Sequence, residues 1–107
     1  MSKIKVKVKE LKRQPFNEFL DEHKLSITVQ EVTNGHYSAT IEGLQIYNSM
    51  GHSYCGNAMG YGNSAINATM DLATYLSNQV IQAINFVGVN PFHVPILTTT
   101  NLELEAI

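Results

Sequence analysis

The chain has 107 residues, 44% of them hydrophobic, which is enough for one compact core and too few for two, so a second domain is excluded. Only 15% of residues are charged, and the formal net charge of −2 is unevenly spread: Lys3, Lys5, Lys7, Lys9, Lys12 and Arg13 precede Lys24, and eight acids follow Arg13. The body of the domain is therefore acidic and lacks the basic face, built from several elements, that nucleic-acid binders usually carry; no apolar run is long enough to span a bilayer either.

Lys3 to Lys9 alternates Ile4, Val6 and Val8 with lysines, the pattern of a half-buried strand whose lysine face protects an edge or contacts phosphates. The same stretch has no signal-peptide apolar block, so the chain is expected to be soluble, cytoplasmic and unprocessed. Pro15 starts a short helix to about His23, with Phe16, Phe19 and Leu20 on one face and Glu18, Asp21 and Glu22 on the other. Leu25, Ile27 and Val29, then Tyr37, Ala39 and Ile41, alternate with polar residues around Asn34-Gly35, which predicts a hairpin.

At Gly43 the apolar phase passes from odd to even positions, Leu44 and Ile46, which predicts a bulge or bend before a strand ending near Asn48. Asn48 to Gly51 reads as a turn, and His52 to Cys55 as a short returning strand. Gly51, Gly56, Gly60 and Gly62 then suggest a glycine-rich loop that opens a helix capped by Asn63 or Ser64. That helix runs to Leu76, with Ala65, Ala68, Leu72, Tyr75 and Leu76 as one stripe, widened by Ile66, Met70 and Ala73. Gln79 to Val89, rich in Val, Ile and Phe, could extend the helix but reads better as a strand after the break at Asn78. Pro91 and Pro95 leave room for a short edge segment, and Thr98 to Ile107 is expected to be a polar, extended tail.

Chemistry-bearing residues are sparse. Cys55 is the single cysteine, so no intramolecular disulfide forms, and a reducing compartment fits. His52 and Cys55 have His-x-x-Cys spacing, but His36 and His93 supply no second close pair, so no metal is expected. The same pair has no third group to orient a base, so no catalytic residue is expected and the chain reads as non-enzymatic, without a cofactor. Gly60, Gly62, Asn63 and Ser64 form a candidate anion site at a helix N-terminus, although no Lys follows Gly62 as a P-loop requires. Lys3, Lys5, Lys7, Lys9, Lys12 and Arg13 are the candidate nucleic-acid contacts. Glu18, Asp21 and Glu22 read as a solvated helix face, as do Glu103 and Glu105 in the tail. Tyr37, Tyr47, Tyr54 and Tyr61 have no cations among them, which favours packing over base stacking.

The order helix, three antiparallel strands, helix, with Gly60-x-Gly62-x-Ser64 opening the last helix and Ala68 four residues on, resembles the double-stranded RNA-binding domain from about Pro15 to Leu76. The resemblance implies an α+β fold: an antiparallel sheet of three or more strands against one long and one short helix, a single domain over 1–107 with strands added at each end. In that family two lysines follow the serine and a third sits one turn on, gripping phosphates across the RNA major groove; this chain has Ala65, Ile66 and Met70 or Thr69 there. The chain is also similar to small proteins encoded by phages of Gram-positive bacteria, which share the loop-to-helix element, the following strand and a Val-Pro ending such as Val94-Pro95. That similarity implies a cytoplasmic accessory protein that binds a host or phage protein. The expected partner is a protein, including a second copy of the chain; the alternatives are nucleic acid at the lysine strand and a small anion at the glycine-rich loop.

Overall fold

The computed structural model describes residues 12–47, 53–100 and 102. The expected lysine strand at 3–9 and the turn at 48–51 lie outside these residues, as does most of the tail beyond residue 100. Strand β1 (Arg13–Pro15) is closed by Pro15, whose φ of −57° leads straight into α1 (Phe16–Glu22). Phe16 and Phe19 of α1 are fully buried, while Glu18, Asp21 and Glu22 face solvent. The helix ends with Lys24 at a φ of 54°, and Leu25 N–H donates to Leu20 O at 2.8 Å.

Strands β2 (Thr28–Thr33) and β3 (His36–Tyr47) form the expected hairpin across Asn34-Gly35. Gly35 alone takes a positive φ, 77°, rather than both turn residues, and the ladder slips between Glu31 and Thr33 to absorb the difference. Gly43, with a φ of 80°, is the predicted bulge, but it sits inside one continuous strand: β3 carries on to Tyr47. Because the extra residue restores the inward phase, Ile41 before it and Leu44 and Ile46 after it are all buried.

The stretch expected to be a glycine-rich loop is instead a long strand, β4 (Ser53–Gly62), paired antiparallel to β3 from Tyr47↔Ser53 to Tyr37↔Gly62. Helix α2 (Ala65–Leu76) follows at once, capped by Ser64 as expected: its Oγ accepts from Asn67 N–H at 3.1 Å. Ala68, Thr69, Leu72, Ala73 and Leu76 are its buried stripe. Each buried leucine contributes on the order of 1.5–3 kcal/mol.

The apolar run after α2 is two strands rather than one, β5 (Val80–Ile84) and β6 (Val87–His93), joined by a tight turn with Asn85 at a φ of 51° and Phe86 at 64°. Pro91 is accommodated inside β6, where the pairing slips between Ile81 and Ala83, so the segment is longer than the prolines suggested. Strand β7 (Ile96–Thr98) pairs in parallel with β1 and is tied to the end of α2, where Leu97 N–H donates to Ser77 Oγ at 3.0 Å.

Among the described residues the result is α+β: two helices, a five-stranded antiparallel sheet and the separate parallel pair of β1 and β7. Strand β3 is its hub. One side of β3 is paired along its length by β4; the other is shared by β2 over His36 to Thr40 and by β5 over Gln45 to Tyr47. The core lies between the sheet and both helices, where Phe16, Phe19, Ile41, Ala58, Leu72, Leu76 and Ile81 belong to one buried cluster. No helix among the described residues is long and apolar enough to cross a membrane.

Candidate functional site

A strand with four glycines in and around it needs a reason, and the helix supplies it. The inward positions of β4 are Ala58, Gly60 and Gly62, opposite Ile41, Ala39 and Tyr37. A Cβ on Gly60 would run into Leu72 N and Ala68 O, and one on Gly62 would lie 2.6 Å from Ala68 N. These glycines let the α2 backbone rest directly on the strand. They are the contact surface of a helix on a sheet, which local composition imitates as a loop.

The outward direction of β4 follows from one hydrogen bond. Tyr61 N–H donates to an Asp71 carboxylate oxygen at 2.9 Å, so it points away from β3, toward the edge of the sheet. Alternate residues of a strand share that direction, which assigns the N–H and C=O groups of Ser53, Cys55, Asn57 and Met59 to the same edge. Among the described strands, β3 is the only partner of β4. Asp71 closes one end of this edge and leaves the rest of the ladder unpaired by any described residue.

The edge strand itself is uncharged, and the acids nearest it are Asp71 on α2 and Glu42, exposed on β3 opposite Asn57. Strand β4 contains no Asp, Glu, Lys, Arg or Pro. Met59 is 36% exposed and Tyr61 58%, and they touch through Tyr61 Oη and Met59 Sδ at 3.5 Å. Tyr75, one helical turn beyond Asp71 and 44% exposed, lies on the same flank of α2. The other outer strands are guarded by ordinary devices: β6 carries Pro91 and a slip in register, and β2 carries Glu31 and a slip of its own. An open depression of about 330 Å³ beside the end of β4 is lined by Val32, Thr33, His36, Tyr37, Tyr61 and Gly62.

Of the nucleic-acid candidates, Lys3, Lys5, Lys7 and Lys9 lie outside the described residues, while Lys12 and Arg13 are exposed at the start of β1, with Lys12 O accepting from Ile96 N–H. Of the anion candidates, Gly60 is buried under α2, Gly62 is half-buried, and Asn63 and Ser64 are engaged with the helix itself: Asn67 Nδ2 donates to Asn63 Oδ1, and Asn67 N–H to Ser64 Oγ. His52 is outside the described residues, and Cys55 pairs with Gln45 in the ladder. No group of three His, Cys, Asp or Glu gathers among the described residues.

The structure brings Tyr37 and Tyr61 to one depression, as a platform reading of the tyrosines would have them. Two features were not read from the sequence: the edge residues Met59, Asp71 and Tyr75, and the hairpin tip, where Phe86 is 77% exposed. Alternation was available as a signal in β4, but its inward positions are Ala and Gly, which hide the period. Comparison with known proteins finds no matching family model, curated protein or solved structure.

Proposed function

We propose that this chain is a small non-enzymatic binding protein with a dsRBD-like core, of the accessory kind that phages encode, and that it engages another protein by strand addition at the free edge of β4. The observation that carries this reading is the uncharged ladder of Ser53 to Met59, unpaired on its outer side by any described residue and flanked by exposed Met59, Tyr61 and Tyr75. Backbone groups at such an edge supply affinity in register, and flanking side chains supply selectivity. The order α1-β2-β3-β4-α2 supports the dsRBD-like part of the proposal. Where that family would place phosphate-gripping lysines on the second helix, this chain exposes Ile66 and Met70, a pair suited to protein rather than to phosphate.

The test is photo-crosslinking in cells from a benzophenone amino acid placed at position 59 of the full-length chain. A covalent adduct to protein, whether to another chain or to a second copy, is the expected product. Adducts to nucleic acid alone, or none at all, would overturn the proposal.

A further inference from the structure

We infer that the strand taken up by β4 belongs to a second copy of this chain, paired antiparallel about a twofold axis between Cys55 and Asn57; this inference rests on the strand-addition reading above. Three observations lead to it.

The first is where the described residues leave the edge open. Asp71 occupies Tyr61 N–H, so pairing is confined to the portion from Ser53 to Met59.

The second is the position of the helix. Helix α2 lies over Gly60 and Gly62, where Ala68 and Leu72 approach the strand backbone. Neighbouring strands are about 4.8 Å apart whereas packed helices need about 8–10 Å, so two copies cannot pair symmetrically about the Gly60 end without their helices colliding. Centred between Cys55 and Asn57, the pairing sets Ser53 against Met59 of the other copy, and the two α2 helices fall on opposite sides of the axis. Hydrogen bonding and helix clearance thus select the same half of β4. Antiparallel pairing also continues the sense of the rest of the sheet.

The third is charge. The paired segment contains no acid or base, and the one carboxylate at the edge, Asp71, lies beyond it. A charged partner strand finds no counter-charge on β4 itself, the nearest acids being Asp71 and, one strand in, Glu42 opposite Asn57. An equally uncharged strand does fit, and the symmetric arrangement puts the two Asp71 carboxylates at opposite ends, so no like charges meet. Met59 and Tyr61 of each copy then flank the joint, and two sheets become one.

The experiment is sedimentation velocity on the full-length protein across a dilution series, together with dipolar electron spin resonance on a nitroxide attached to Cys55, the sole cysteine. A dimer that dissociates on dilution and shows strong coupling between its two labels is expected. Met59→Pro should lose the dimer while keeping its circular dichroism, since its outward N–H makes no bond to β3. A monomer at every concentration overturns the inference, including one whose own residues 1–11 cover the edge, and so does a dimer without label coupling. A monomer that still crosslinks from position 59 to a different protein removes the second copy and leaves strand addition standing; a monomer that crosslinks to nothing removes both.

Discussion

Gly60 and Gly88 show how little the identity of a residue says until its neighbours are known. Gly60 has the α2 backbone against it, so Gly60→Ala must push the helix off the strand, and a loss of about 3 kcal/mol or more in urea-unfolding free energy is expected. Gly88 has nothing within 4 Å and lies in ordinary strand geometry, so Gly88→Ala should be neutral or should gain about 0.5 kcal/mol by restricting the unfolded chain. Tyr37 shows the same dependence in its acidity. Its phenol is held above its ordinary value of 10.0 by a hydrogen bond to the Glu31 side chain, then by that carboxylate's charge and by burial. The neutral phenol is the favoured form in the folded state, so its contribution to stability is complete below pH 10 and is lost as pH rises through the raised value. Following the Tyr37 ring resonances through an alkaline titration should show late ionisation, moved back toward the ordinary value by Glu31→Gln.

At the scale of elements, the parts legible in the sequence were those whose cause is local. The Phe16-Phe19-Leu20 spacing, the Asn34-Gly35 turn and Ser64 before an apolar stripe each state their own geometry, and α1, the β2–β3 hairpin and α2 appear where they point. The phase change at Gly43 also marked a real bulge. Two elements were illegible because their cause is distant. Strand β4 looks like a loop because the helix that demands its glycines is identified only after folding. The turn between β5 and β6 is hidden because it places Phe86, a bulky residue, at a φ of 64°, where Asn-Gly is the ordinary signal. Phe86 N–H donates to Gly43 O at 3.0 Å, so the tip is fastened to the bulge despite the strained residue. Since the ring is largely exposed, Phe86→Gly should keep that bond, relieve the backbone and raise stability by about 1 kcal/mol in thermal unfolding. The candidate site was the least legible part, because an edge is defined by which strand lacks a neighbour, a property of topology.

For the whole molecule, charge is the property that separates the remaining readings. Between residues 12 and 102 the chain has three cations, Lys12, Arg13 and Lys24, against six acids. A body of that composition has little to release counterions with. In a mobility-shift assay the full-length chain should therefore leave duplex RNA unretarded at physiological salt. Retention that weakens steeply with salt and disappears when Lys3, Lys5, Lys7 and Lys9 are changed to Gln would instead assign nucleic-acid binding to the N-terminal stretch. The single buried cluster drawing on both helices makes the domain one cooperative unit for unfolding, so variants such as Gly60→Ala should report on the whole rather than on α2 alone.

The sharing of one side of β3 between β2 and β5 has a dynamic consequence. Between Thr40, the last partner of β2, and Gln45, the first of β5, the ladder on that side is interrupted, and the described bond that bridges the gap is the one from Phe86 N–H to Gly43 O. The sheet therefore has a seam. Amide protons on either side should exchange with solvent as two separately opening groups, one containing the β2–β3 hairpin and the other the β5–β6 hairpin, with β4 lying across the seam as the splint that holds them in one plane. A strand added to the far edge of β4 would lengthen that splint, so binding would be felt as slower exchange at Gly43, across the width of β3 from the bound strand.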